Sequence, residues 1–237
     1  MSFHSRWSIV RNTILDMLFP PHCVVCGHDG EWLCPDCVAS FHYVQSPVCA
    51  VCGRPLSRGN LCHSCSRHPM DIDGIRAATY FEGRVRQCIH HFKYKGTRVL
   101  APYLGEVMAQ AWQRAPFPAS TIVPVPLHPQ RMRQRGYNQS ALLARELGQR
   151  INMPIIDDCL LRVKHTRPQV GLGAAERRMN VQGAFRCTDQ RLEGKSIMLI
   201  DDVCTTGATL EACAHALYEQ GSHVVWALVL AREHHDH

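Results

Sequence analysis

From residue 67 to the last strand, short apolar or β-branched stretches alternate with stretches at helical spacing. The connector RHPMDIDGIRAAT (67–79) leads into a strand expected at 77–81. Helical spacing follows from about Gly83 to Tyr94 and stops near Gly96, and a second helix is expected from 100 to about 114, where AP and FP end it. TIVPVP reads as a short β-branched strand closed by prolines. A helix is expected over 138–151 with Asn138 as its cap, then a strand-like stretch over 153–156. SIMLIDDV is a strand that runs into the turn CTTGAT, a helix over 209–220 capped by Gly221, and a last strand, HVVWALVLA. Such alternation predicts an α/β domain with a mostly parallel sheet. Residues 162–181 interrupt it: they are polar and basic, contain GLG and show little periodicity, so a long functional loop is expected, with 174–179 as a helical piece. Ahead of all this, Trp7, Val10, Ile14, Met17 and Leu18 recur at helical spacing until Pro20 and Pro21. A helix over 1–22, docked on a neighbouring domain, is expected there; a membrane-surface anchor competes, against a polar face that is not lysine-rich.

The length of 237 residues suits one medium domain plus a small one. No apolar run approaches the roughly 18–20 residues that span a bilayer. The N-terminus lacks the basic region, apolar stretch and small-residue cleavage site of an export signal, so a cytoplasmic protein is expected. The formal charge of +6 is unevenly spread: between 128 and 186 there are eleven Lys or Arg against four Asp or Glu, +7 in that segment and −1 elsewhere. A local basic excess points to an anionic partner, a phosphorylated small molecule or nucleic acid, or to a solvated face.

Cysteine usage changes the picture most. Eight of the thirteen cysteines form four CxxC pairs: Cys23/Cys26, Cys34/Cys37, Cys49/Cys52 and Cys62/Cys65. Without export signals such density indicates metal rather than disulfides. Zinc takes four thiolates tetrahedrally, so four pairs supply two Zn²⁺ ions. The simplest assignment is sequential, with Cys23, Cys26, Cys34 and Cys37 around one ion and Cys49, Cys52, Cys62 and Cys65 around the other; cross-pairing stays open. Every position is a thiolate, so no site is open for catalysis and the role is structural, with redox chemistry as the minor alternative. A double zinc ribbon over 23–66 and an α/β domain over 67–237 are therefore expected.

The segment MLIDDVCTTGATL (198–210) carries the candidate chemistry. An apolar strand ends in Asp201 and Asp202, and Thr205, Thr206, Gly207, Ala208 and Thr209 open a helix. Open α/β sheets bind ligands at the carboxyl ends of their strands. A helix N-terminus offers unpaired N–H groups and a positive dipole end to a phosphate. The carboxylates suit sugar hydroxyls or Mg²⁺, which prefers oxygen ligands and substrate phosphates. Arg131, Arg133 and Arg135 precede Gly136, Tyr137, Asn138 and Gln139, and arginine forks match phosphate. Arg135, Asn138 and Gln139 are the best candidates there, since they lie at a turn entering a helix. Lys93 and Lys95 flank Tyr94 and are further anion contacts. Arg162, Lys164, Arg167, Gln169, Arg177 and Arg178 lie in the expected loop, where closure would bring some of them onto a leaving anion. The terminal EHHDH, with His234, His235 and His237, reads as a frayed tail.

The run LIDDVCTTGAT resembles the motif by which type I phosphoribosyltransferases bind 5-phosphoribosyl-1-pyrophosphate (PRPP). MLFPPHCVVCG, the four CxxC pairs, HFKYKG at 91–96, IVPVPLHPQRMRQRGYNQS at 122–140 and RPQVGLGAAERRMNVQGAF at 167–185 narrow the resemblance to the ComF/GntX family of competence and DNA-utilization proteins. It covers nearly the whole chain in the right order. The resemblance implies a type I phosphoribosyltransferase-like sheet flanked by helices, with a small N-terminal double zinc-ribbon module. It implies that Asp201 and Asp202 contact the ribose hydroxyls and that 205–209 enclose the 5-phosphate. Residues 123–128, with Pro126, are similar to the pyrophosphate loop, and 162–180 to the loop that covers the site. Asp201, Asp202 and Arg135 are the expected catalytic residues, and Lys95, Asn138, Gln139, Gln169 and Arg177 further contacts. Two functions remain in view: a Mg²⁺-dependent phosphoribosyltransferase in DNA uptake, or a non-catalytic factor that handles single-stranded DNA beside uptake or recombination proteins and senses PRPP. The motif names no acceptor.

Overall fold

A computed structural model describes residues 20–164 and 174–233. The helix expected over 1–22 lies almost wholly outside the described residues, as do Gln169 and the histidine tail. Two short helices, α1 (Pro35–Ala39) and α2 (His63–Arg67), belong to the cysteine module. The sheet begins with β1 (Gly74–Tyr80), followed by α3 (Gly83–Tyr94), a 3₁₀ turn at Arg98–Leu100 and α4 (Ala101–Arg114). Pro102 in its first turn costs α4 no hydrogen bond, because the N–H it lacks would be unpaired there. β2 (Thr121–Pro124) leads to α5 (Pro129–Arg135) and α6 (Gln139–Ile151). Then come β3 (Leu160–Arg162), α7 (Ala174–Val181), β4 (Phe185–Cys187), β5 (Ser196–Cys204), α8 (Ala208–Glu219) and β6 (Val224–Arg232).

Four strands make one parallel sheet in the order β1-β6-β5-β2. β5 is internal, with Ile200 opposite Leu228 on one side and Pro124 on the other. Its residues Ile197, Met198, Leu199 and Ile200 are fully buried, which explains the unbroken apolar run: both faces of the strand are covered. One layer holds Phe92, Leu104, Met108, Leu143 and Leu147 from α3, α4 and α6, packed on Met198, Ile200 and Leu228. The other sets Leu210, Cys213 and Leu217 of α8 and Phe185 of β4 against Ile197 and Leu199.

The structure departs from the expectations in four places, the first being β1, which runs over Gly74–Tyr80 and not 77–81. The strand expected over 153–156 reduces to a single parallel bridge between Ile155 and Ile122, where Ile122 N donates to Pro154 O and Ile156 N to Ile122 O. The basic stretch after Pro129 is helical, with His128 as N-cap accepting from Gln130 N. The long loop is bracketed by an antiparallel β3–β4 ladder that pairs Leu160 with Cys187 and Arg162 with Phe185. The cysteine module lies along β1: Val44 N donates to Ala78 O at 3.1 Å, Tyr80 N to His42 O at 2.8 Å and Ile75 N to Val51 O at 2.7 Å.

Candidate functional site

The two cysteine clusters are built alike. The first pair of each lies on a turn, and the turn closes by Gly27 N donating to Cys23 O and Gly53 N to Cys49 O, both at 2.9 Å. The second pair starts a helix, with Cys34 the N-cap of α1 and Cys62 the N-cap of α2. Cys23, Cys26, Cys34 and Cys37 form one set and Cys49, Cys52, Cys62 and Cys65 the other, with all sulfurs of a set within 4.8 Å of one another. Zinc–sulfur bonds of about 2.3 Å in a tetrahedron require sulfur–sulfur edges of about 3.8 Å. The Sγ–Sγ distances are 3.7 Å for Cys23–Cys37, 3.6 Å for Cys26–Cys34 and 3.6 Å for Cys52–Cys62. Disulfide sulfurs stand about 2.05 Å apart, and all eight cysteines are free. The clusters are therefore compatible with two structural Zn²⁺ ions. Backbone N–H groups of Cys62 and Cys65 point at Cys49 Sγ and Cys62 Sγ, at 3.4 and 3.5 Å, as thiolates require. Arg84 of α3 directs Nη1 at Cys37 Sγ at 3.6 Å, a counter-charge that the cysteine spacing gave no sign of.

A cleft of about 910 Å³ opens at the carboxyl ends of β2 and β5. Asp201 and Asp202, which follow the apolar run of β5, both line the cleft. Ser140 Oγ, in the first turn of α6, donates to Asp201 Oδ1 at 2.9 Å, and Asp202 N donates to the same oxygen at 2.9 Å. Asp202, 4 % exposed in its side chain, lies 2.7 Å from Lys93 Nζ of α3. That ammonium is close enough to pair in charge, although it is not aligned as a hydrogen bond to Asp202 Oδ2. Burial and the neighbouring Asp202 charge push the Asp201 carboxyl up to about 7, against the pull of Lys93, the Asp202 N–H and Ser140. One ammonium thus serves two carboxylates.

Beyond β5, Thr205 and Thr209 line the cleft, as do Pro126 after β2 and Arg135 and Gln139 across from them. Thr206 Oγ1 accepts from Ala208 N at 3.4 Å, and Gly207 is the N-cap of α8 with φ +87°. A Cβ on Gly207 would stand 2.6 Å from Met70 Cε and 3.0 Å from Ile75 Cδ1, and the positive φ strains any residue with a side chain there. Arg135 lies over the Tyr94 ring at 5.4 Å and donates to Gln139 Oε1. Asn138 is used in bracing: its Nδ2 donates to Val125 O and its Oδ1 accepts from Ser140 N, both at 3.0 Å. Lys95 is exposed just past α3, whereas Lys93 faces the cleft. Arg177 falls on α7, and nothing of its side chain is described. Arg131 and Arg162 join the lining, and burial lowers the Arg162 guanidinium. Ser140 escaped the sequence reading, although it directly follows Asn138 and Gln139 at the start of a helix aimed at the strand ends.

These features define a class: a parallel α/β protein with a polar cleft at its strand ends, joined to a two-site cysteine module. The family model described as "Double zinc ribbon domain" matches residues 14–66. Competence protein F of Haemophilus influenzae is 32% identical over 212 residues, covering 84% of this chain and 90% of that protein. The chain belongs to the competence protein F (ComF) family. Competence protein ComFC of Bacillus subtilis is 27% identical, covering 81% and 80%, and DNA utilization protein YhgH of Escherichia coli K12 27%, covering 86% and 92%. Among solved structures, the chain is similar to glutamine PRPP amidotransferase of B. subtilis at 19% identity, TM-score 0.39, over 56% of this chain and 26% of that one. It is also similar to a Staphylococcus aureus hypoxanthine phosphoribosyltransferase at 15% identity, TM-score 0.35, over 57% and 65%. The fold class rests on the sheet itself and not on these overlaps. Among the described residues no helix is long and apolar enough to cross a membrane.

Proposed function

We propose that the chain binds PRPP with Mg²⁺ in this cleft and transfers its phosphoribosyl group to a nitrogen acceptor, in a pathway that takes up or uses external DNA. One observation carries the reading: β5 ends in two carboxylates, and the residues that follow at once, 205–209, open α8 beside the same cleft. The N-terminus of α8 suits the 5-phosphate. Asp201 and Asp202 suit ribose hydroxyls and are hard oxygen donors of the kind Mg²⁺ accepts. Bound there with substrate phosphates, Mg²⁺ would supply charge neutralisation. Lys93, Arg131, Arg135 and Arg162 are at hand for pyrophosphate. In the transfer the bond from the anomeric carbon to pyrophosphate oxygen breaks and its electron pair leaves with pyrophosphate. A carbon–nitrogen bond forms, and the acceptor nitrogen loses its proton. No covalent nucleophile is required; positioning and charge stabilisation suffice. The names of the relatives support the DNA-uptake setting and, as partners, the proteins of that machinery.

Calorimetry with PRPP and Mg²⁺ tests the site. Binding by the wild-type protein that is lost in Asp201→Ala/Asp202→Ala is expected; equal affinity in both, or none in the wild type, overturns the assignment. A second reading, a factor that holds single-stranded DNA, is favoured by Tyr94, 68 % exposed at the cleft beside His90 and Arg135. It requires single-stranded DNA binding that weakens with salt.

A further inference from the structure

We propose that the second cysteine site positions the loop 205–209, with Met70 and Ile75 as the positioning residues that connect them. Only the ligand arm of its test rests on the PRPP reading. Three successive carbonyls of the knuckle between Cys49 and Cys52 are tied to the sheet. Ala50 O accepts from Arg76 Nη1 at 3.0 Å, Val51 O from Ile75 N at 2.7 Å, and Cys52 O from Arg232 Nη1. The knuckle also lies directly on β1: a Cβ on Gly53 would stand 2.2 Å from Ile75 O. The other end of Ile75 reaches the loop. Its Cδ1, with Met70 Cε, lies against Gly207, where a Cβ would stand 3.0 and 2.6 Å from them. Met70 packs against both the second cysteine cluster and the layer that holds Ala208 and Leu210. Arg232, 1 % exposed, stands opposite Cys204 in the β5–β6 ladder, and Glu233 N donates to Cys204 O at 2.9 Å. The strand end that launches the loop is thus gripped by the residues that hold the knuckle.

The first cysteine site is placed differently. Cys23, Cys34 and Cys37 pack in the opposite layer with α3, where Arg84 meets Cys37 Sγ. The two sites therefore differ in what they hold, although their ligand sets match. Four thiolates and sulfur–sulfur edges of tetrahedral length fit Zn²⁺ at both. Losing the ion at the second site frees the knuckle, then Ile75 and Met70, then the turn at Gly207. Losing the ion at the first leaves that chain of contacts intact.

The experiment compares Cys62→Ser with Cys26→Ser in the full chain, each lowering zinc content by one site. Hydrogen exchange of the ligand-free protein is read over 198–210. Exchange at 205–209 is expected to speed up by about tenfold or more in Cys62→Ser and to match wild type in Cys26→Ser. PRPP affinity with Mg²⁺ should fall in the first variant alone. Met70→Ala keeps all eight thiols, so zinc content should be unchanged while exchange at 205–209 rises; Met70→Leu should restore protection. Equal exchange in the two serine variants, or wild-type protection in Met70→Ala, overturns the proposal. If Cys62→Ser does not fold, the Met70 pair decides. If wild-type protein fails to bind PRPP, the ligand is wrong and the exchange result still stands or falls by itself.

Discussion

Asp201→Asn isolates the cost of placing two carboxylates at the end of one buried strand. Asparagine keeps the shape, and its Oδ1 still accepts from Ser140 Oγ and Asp202 N, the two contacts of the native oxygen. In the folded protein burial and Asp202 raise Asp201 from 3.8 to about 7. A raised carboxyl binds its proton more tightly when folded than when unfolded. Its contribution to stability is therefore fully present below about pH 4 and is lost as the pH rises through about 7. Each unit of difference is worth about 1.4 kcal/mol. Between pH 5 and pH 8 wild type should lose on the order of 2–3 kcal/mol through this group alone. Asp201→Asn lacks that loss. Urea unfolding of the two, with zinc bound and thiols reduced, should give matching stabilities only below about pH 4, and at pH 5 the variant should already be ahead by about 1.5 kcal/mol. Between pH 5 and pH 8 its advantage should grow by about 2–3 kcal/mol, or roughly 5–10 °C in Tm for a chain of this size. A difference that stays constant from pH 5 to pH 8 would refute the reasoning.

Two further outcomes follow from the same geometry. Lys93→Met leaves Asp202 buried without its ammonium, which should cost about 3 kcal/mol in urea unfolding at pH 8, while Lys95→Met, at an exposed position, should change stability by less than about 0.5 kcal/mol. Purified, reduced protein should contain two zinc ions per chain by elemental analysis, and fewer than one would contradict the tetrathiolate geometry.

The elements most legible in the sequence are those whose signals are local. α3 has the bounds expected, Gly83–Tyr94. Asn138 caps α6 because its side chain reaches the N–H two residues on. β5 and β6 declared themselves by apolar runs that only a strand covered on both faces can bury. α5 and the β3–β4 ladder did not, because a seven-residue helix and strands of three residues are too short to establish a period. The carboxylates and threonines of the cleft are contiguous, so they could be found together. Lys93, Ser140 and Arg84 reach their partners only through tertiary packing. Helical phase still held a clue to the choice between two lysines. Lys93 lies three and four residues from His90 and Ile89, which also line the cleft, whereas Lys95 falls past the last turn.

The hydrogen bonds from 42–44 and Val51 to β1 have a consequence for how the chain keeps to itself. β1 is the outer strand of a parallel sheet, with β6 its only partner among the named strands. An uncovered edge offers its N–H and C=O groups to any other strand that meets it. Here the chain's own metal-binding segment occupies that edge, at Tyr43 opposite Thr79 and at Val51 against Ile75. Newly made protein that has not yet acquired zinc would leave β1 bare between copies of itself. Metal supply during synthesis would then decide the yield of dispersed protein against aggregate, before any ligand reaches the cleft.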